Sequence, residues 1–418
     1  MVRETGSEYK REVIEPGDHI SRLAKDINIE SFHNCPSLAI VPHEPGNFRG
    51  AVGYAWRPWI AELIARTKFD DEGNVVDWKV LEQIENDGAG GKPVFHSLVG
   101  TPEVFSRLGW EIIEMTAGDL ARTGRFPALM INQIDFKNLT PENMHLAEAA
   151  IRGYGEALKE ARLVNLTGET AVMKYTITSA FDLNSPGQLC VSWSGACIGL
   201  AAKELLLDPL NHVGPEMPIV GFWEPGYRCN GGGKLTKLML QKWGPTAEDV
   251  AGSREAIAFA TKLCTPSFPY SRTIVRLTGW SNPGSVGMPE ARIMGVAHIT
   301  GGGLPGKLSA IFPEGIGACL TNMPIPAEVL LEAQDLCLSS GIECSDEEMH
   351  TTFHGGCGMM VVCKTHRDAD IVIAEAAKDG IRASYVGRTI QENDDNKNIA
   401  VASRFLRKNG QLLYLPRG

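Results

Sequence analysis

The chain has 418 residues, 43% of them hydrophobic and 22% charged, with a formal net charge of −10. That length suits two domains and a sizeable core, and the balance is that of a globular protein rather than a disordered one. An acidic chain without a Lys- or Arg-rich run disfavours a nucleic-acid partner, and without a long apolar run or a charged-then-apolar leader no membrane partner is expected, which leaves a cytoplasmic address by default.

In chain order, Ile20, Leu23, Ala24 and Ile27 recur at helical spacing behind Asp18, predicting an amphipathic helix over 18–29 with Asp18 as N-cap. Residues 35–56, rich in Pro and Gly, read as loop with short extended pieces. WIAELIARTKF (59–69) reads as helix, and VVDWKVLEQI (75–84) as a strand running into a turn at NDGAGGK (86–92). A helix is predicted over 147–161, flanked by the extended runs ARLVNLTGET (161–170) and LCVSWSGACIGL (189–200). Strands alternating with helices imply α/β (α+β) layers.

KELLLDPLNHVGPEMP (203–218) carries three prolines and marks the boundary between predicted domains 1–205 and 206–418. Beyond it come a strand at MPIVGFW, a glycine turn YRCNGGGKL opening a helix, a helix at 326–340, a strand GMMVVCK, a helix DADIVIAEAAKDG and a final strand pair.

The ten cysteines contain no CxxC pair. Cys190, Cys197, Cys319 and Cys357 sit among apolar or small residues and read as reduced, buried small hydrophobes. His350 and His354 share a helical spacing in HTTFH, but the glutamate of a metalloprotease motif is missing, so they read as structural.

Five stretches set glycine beside a carboxylate or a cation: NDGAGGK, TAGDLARTGRFP (116–127), TGETAVM (167–173), YRCNGGGKL (227–235) and AHITGGGLPGKLSAIFPEGIGA (297–318). Glycine lets backbone amides approach an anion, and carboxylates supply hard oxygen ligands for Mg²⁺. Each alone reads as a tight turn; together they point to a metal-nucleotide site. A Walker A pattern and a GxGxxG fingerprint are both missing, which disfavours a P-loop ATPase and a Rossmann dehydrogenase.

These stretches resemble the aminoimidazole ribonucleotide synthetase family, also called phosphoribosylformylglycinamidine cyclo-ligase. NDGAGGK is similar to DGVGTK, with Gly91 in place of threonine. AGDLARTGRFP is similar to NDxxxxGAxP, with Gly118 in place of asparagine, and TGETAVM to GGETAEM, with Val172 in place of glutamate. AHITGGG is identical to the family's stretch and FPEGIGA continues it. IEPGD (14–18), CTPSFPY (264–270) and TFHGGCGMM (352–360) extend the likeness from about residue 9 to the end. RCNGGGKL departs from HSNGYSL at Arg228 and Cys229, and Lys307 with LSA stands where NxPR is usual.

The resemblance implies a two-domain fold, with a small N-terminal sheet used in homodimerisation and a larger C-terminal α/β domain. It implies an ATP-dependent ligase of purine biosynthesis: ATP phosphorylates the formyl amide oxygen of formylglycinamidine ribonucleotide, and an amidine nitrogen closes the imidazole ring. Asp87, Asp119 and Glu169 would hold Mg²⁺, with Asp135 a secondary candidate, and Lys92 would contact the phosphates in catalysis. Asn230, Gly231, Thr300, Gly301, Gly302 and Gly303 would cradle ATP or the phosphorylated substrate. His298 would orient or exchange protons with the reacting amide, or fix the glycine turn from a strand end. The altered loops leave two alternatives: another ATP-dependent phosphoryl-transfer or amide-activating enzyme on this scaffold, and a non-catalytic nucleotide-binding homologue.

Overall fold

The computed structural model describes residues 15–43, 50–281, 285–392 and 398–416. Ile14 of IEPGD, the likeness over residues 9–14 and the loop predicted over 44–49 lie outside them.

The first helix, α1 (Glu15–Ser31), starts earlier than its apolar spacing predicts, so Asp18 lies in its first turn rather than capping it. Leu38–His43 and Gly50–Trp56, read as loop with extended pieces, pair antiparallel. The helix read at 59–69 is shorter, Pro58–Ile64, and Lys68–Phe69 pairs with Val75–Asp77. Strand β1 (Val80–Gly88) continues through Asn86 and Asp87, placing the predicted turn one step later.

Two helices follow, α2 (Lys92–Val99) and α3 (Pro102–Ala121), the latter opened by Pro102 and by the Thr101 hydroxyl, which accepts from the Val104 amide. Next come β2 (Phe126–Phe136), α4 (Met144–Ala161), β3 (Val164–Val172) and β4 (Val191–Ala202). These strands form one sheet in the order β1-β4-β2-β3. Strands β2 and β3 are parallel, which requires a crossover, and α4 supplies it. One face of the sheet packs on α3 and α4 through Leu108, Ile112, Met130, Ile134, Ile151 and Tyr154.

The second half contains β5 (Pro218–Trp223), α5 (Gly232–Trp243), α6 (Arg254–Leu263), α7 (Ser271–Leu277), β6 (Ile293–His298), α8 (Gly303–Leu308), β7 (Ile316–Leu320) and α9 (Glu328–Ser339). It ends with β8 (Cys357–Cys363), α10 (His366–Lys378), β9 (Ala383–Gln391), β10 (Asn398–Ala402) and β11 (Leu412–Pro416). A seven-stranded sheet takes the order β6-β8-β5-β9-β7-β10-β11, antiparallel except for β7 and β10. Because side chains alternate along a strand, Val361 joins Ile274 of α7 and Val372 of α10 on one face, and Val362 joins Leu304 and Leu308 of α8 on the other.

All strands of the first sheet end by Ala202 and all those of the second begin at Pro218. We keep 205/206 within this gap as a proposed domain boundary. Helix α2 crosses it in space: Phe95 and Leu98 join Leu238, Phe259 and Leu330 of α5, α6 and α9 in a separate helical core. Among the described residues no helix is long and apolar enough to cross a membrane, and the ten cysteines are free.

Candidate active site at the seam between the sheets

The two halves meet along glycine. A Cβ on Gly91 would lie 3.0 Å from the Gly232 Cα, and one on Gly90 would lie 2.7 Å from the Cys229 carbonyl oxygen. The loop after β1 therefore rests backbone to backbone on the loop before α5, and a side chain in either would part them. A second contact joins the last turn of α3 to the end of β6. There a Cβ on Gly118 would come within 2.8 Å of the His298 Cε1, so the imidazole sits directly on the helix backbone.

Behind these contacts lies a closed unit of charged side chains. Lys92, Glu111 and Glu114 have no exposed surface, and Arg228 and His298 expose 1% each. Lys92 Nζ reaches Glu111 Oε1 at 2.5 Å and also donates to the Thr265 carbonyl. Glu111 additionally accepts from the Ser267 hydroxyl at 2.7 Å and the Cys229 thiol at 3.1 Å. Arg228 pairs with Glu224 through Nη1 and lies 3.5 Å from Glu114 Oε1 through Nη2. Tyr270 donates its hydroxyl to Glu224 Oε2 at 3.0 Å and its amide to Glu114 Oε2 at 3.1 Å. Burial disfavours the charged guanidinium, but the Glu224 and Glu114 carboxylates outweigh it and raise the Arg228 pKa.

The unit reaches the seam at His298. Arg228 Nη2 lies 2.6 Å from His298 Nε2, and His298 Nδ1 lies 3.0 Å from Asp119 Oδ1. Nε2 also faces Glu114 Oε1 at 3.6 Å, so the ring is held between Arg228 and Glu114 on one side and Asp119 on the other. Arg122 Nε donates to the same Asp119 oxygen at 2.9 Å. Burial pushes the Asp119 carboxyl up, yet His298 and then the Arg122 guanidinium outweigh it and hold the pKa at about 2. Asp87, at the end of β1, is shifted the other way, raised by the surrounding protein and then by the negative charge of Asp119. His298 and Lys307 of α8 oppose that rise.

The residues predicted from glycine-rich stretches separate into three groups. Asp87, Asp119, His298, Asn230, Gly231, Thr300, Gly301, Gly302 and Gly303 come together. A Cβ on Gly301 would lie 3.3 Å from Asn230 Oδ1, and left-handed Gly231, Gly302 and Gly303 turn both loops toward the seam.

Lys92 is a correction. Its ammonium is enclosed by Glu111, the Thr265 carbonyl and the Tyr227 ring, so it holds the halves together rather than reaching a phosphate.

Glu169 is a second correction. It shares a row of the sheet with Gln133, Ser194 and Gly88, whereas Asp87 shares the neighbouring row with Gly195, Asn132 and Gly168. Adjacent rows point to opposite faces, and three strand spacings of about 4.8 Å separate β1 from β3, so one ion cannot be held by both carboxylates. Asp135 accepts from Gln133 at 3.1 Å, as a structural residue would. Among the described residues no group of three or more His, Cys, Asp and Glu could hold a metal.

Sequence reading missed Glu111, Glu114, Glu224, Ser267 and Tyr270. The signal for the first two was present: two carboxylates one helical turn apart inside the apolar run WEIIEM, where acids are rarely buried without partners.

Residues 76–187 match the family model described as AIR synthase related protein, N-terminal domain, and residues 285–397 match its C-terminal domain, together more than half of the chain. The chain belongs to the AIR synthase related family. Among curated relatives, the phosphoribosylformylglycinamidine cyclo-ligase of Sorangium cellulosum is 26% identical over 74% of this chain and 80% of that protein. The Methanocaldococcus jannaschii protein of the same name is 24% identical over 79% and 85%. The chloroplastic/mitochondrial cyclo-ligase of Vigna unguiculata is 25% identical over 66% of this chain, which covers 63% of that protein.

In fold, this AIR synthase related protein is similar to the hydrogenase maturation protein HypE solved in complex with ATP, with TM-score 0.51, 15% identity and coverage of 87% and 91%. HypE of E. coli gives TM-score 0.50 and 16% identity over 95% and 97%.

Proposed function

We propose that this protein is an ATP-dependent ligase that closes the imidazole ring of aminoimidazole ribonucleotide from formylglycinamidine ribonucleotide. The observation that carries the reading is the seam. Asp119 is hydrogen-bonded to His298, which leads directly into the glycine turn at 301–303, Gly301 packs beside Asn230 of the turn at 231, and the Asp119 charge raises the Asp87 pKa. The names of the curated relatives and the ATP bound in one HypE structure support it.

Two carboxylates suit Mg²⁺, which takes few protein ligands and completes its shell with phosphate oxygens and water. Asp119 fits because His298 and Arg122 both occupy Oδ1, leaving Oδ2 to face a ligand. Asp87 fits because its side chain is exposed at the seam. When bound there, Mg²⁺ would neutralise charge on the transferred phosphoryl group.

The substrate's amide oxygen attacks the γ-phosphorus and ADP leaves. The amidine nitrogen then attacks the activated carbon, loses its proton, and expels phosphate as the ring closes. Backbone amides of Gly301, Gly302 and Gly303 and the Lys307 ammonium stabilise the phosphoryl oxygens. His298 positions Asp119 rather than moving the substrate's proton, since Arg228 occupies its second nitrogen.

One observation favours a second reading. Four residues that depart from the family pattern gather at the seam, while Val172 lies apart on β3: Gly91 packs on Gly232, Gly118 on His298, and Arg228 and Cys229 join the same buried unit. Coordinated change at one seam favours a different phosphorylated amide as substrate over decay to a non-catalytic homologue. Incubation with Mg-ATP and formylglycinamidine ribonucleotide, following ADP and the imidazole product, tests the first reading. ADP release with another phosphorylated amide alone would select the second, and ATP binding without release across the panel would defeat both.

A cytoplasmic homodimer belongs to the same proposal. Ile84 lies on the sheet face turned away from α3 and is 54% exposed, with Val52 67% exposed on the neighbouring hairpin. Ile84→Glu is expected to convert a dimer to monomer in light scattering; an unchanged mass would place the interface elsewhere.

A further inference from the structure

A cavity of about 200 Å³ opens on another part of the molecule, and none of the seam residues line it. Its floor is Trp280, Val275, Ser271 and Cys35, all buried, and its walls are Phe126, Arg162, Arg272 and Arg276. The Trp280 and Phe126 rings lie 5.5 Å apart, and the indole nitrogen is anchored on the Gly124 carbonyl at 3.0 Å, so the aromatic wall is fixed.

The three arginines are not equivalent. Arg276 is committed, held by Glu375 at 2.9 Å and Asp379 at 2.8 Å. Arg272 meets Glu160 at 3.1 Å, but that carboxylate is 56% exposed, and a solvent-facing pair of this kind is readily exchanged for another anion. Arg162 caps the C-terminal end of α4 in the left-handed conformation, with an exposed side chain that has no partner among the described residues. No carboxylate lines the cavity. Two available guanidiniums, whose planar forks match phosphate oxygens, thus stand beside a fixed aromatic wall.

We propose that this cavity is a second ligand site taking a planar aromatic ring that carries a phosphate, the chemistry of a nucleoside monophosphate. The ring lies against Trp280 and Phe126, and the phosphate is gripped by Arg162 and Arg272. This goes beyond the ligase reading and does not depend on turnover.

Isothermal titration of the full chain with AMP tests it, with adenosine and ribose 5-phosphate as probes lacking the phosphate or the ring. AMP is expected to bind more tightly than either. The double variant Arg162→Ala, Arg272→Ala is expected to weaken AMP at least about tenfold, as loss of charge-assisted hydrogen bonds requires. Both arginines stand at the rim, so the variant should keep its fold. Quenching of tryptophan fluorescence by AMP should fall in Trp280→Phe. The proposal is overturned if AMP does not bind at millimolar concentration, or if the double variant binds it as well as the native chain.

Discussion

At the scale of single residues, the seam is built from charges that water never reaches. Lys92 and Glu111 are each other's principal partners with no exposed surface, and such a pair is costly to break from one side because the survivor is left charged and unmatched. Lys92→Met is therefore expected to destabilise the fold by about 3–5 kcal/mol, read as the shift in denaturant unfolding. The double variant Lys92→Met, Glu111→Leu should recover part of that loss. If Lys92→Met left stability unchanged but abolished turnover, the lysine would belong with the phosphates after all. His298 illustrates how chemistry follows from partners: its residue type suggested proton exchange or a hold on the glycine turn, and Arg228 and Asp119 occupy its two ring nitrogens.

At the scale of elements, close approach of backbones decides what each loop can carry. Gly91→Ala would press a methyl carbon onto the Gly232 Cα at 3.0 Å, with backbone on the other side and no flexible chain to give way. A loss of roughly 1–3 kcal/mol is expected from thermal or denaturant unfolding, as for an overpacked core.

The same principle explains what the sequence made legible. Strands β3, β4, β5 and β8 and helices α4 and α10 could be read because their apolar residues follow one period and their ends carry turn residues. Helix α3 could not, because it is buried nearly all round and its Gly109 and Gly118 imitate turn signals while serving helix–helix and helix–histidine contacts. The glycine-rich stretches named Asp87, Asp119, His298 and the 301–303 turn, which the fold brings to the seam where we propose the site. Glu169 was misplaced for a reason no motif carries: strand order and pleat put it three strands away on the opposite face.

At the scale of the whole molecule, buried histidines set the acid limit of stability. Burial pushes His96 and His350 down to about 4 and His354 to about 3. Because these folded-state values lie below the unfolded value near 6.5, the unfolded chain binds more protons between them. The stability is complete above about pH 6.5 and is lost as the pH falls toward 4. His96 and His350 contribute roughly 3 kcal/mol each at most and His354 roughly 5, so the three together are comparable to the whole stability of a typical domain. The midpoint of denaturant unfolding is expected to fall steeply between pH 6.5 and 4, and His350→Phe should flatten that slope. A midpoint independent of pH over this interval would show that the rings find proton acceptors when charged.

The seam's role in ATP chemistry is tested most directly by ADP release from Mg-ATP and formylglycinamidine ribonucleotide, comparing the native chain with Asp119→Asn at matched stability. The account predicts ADP and imidazole product in step from the native chain, with a loss of about a hundredfold or more in the variant, the scale of removing one placed charge stabiliser. Equal rates from both proteins would contradict it.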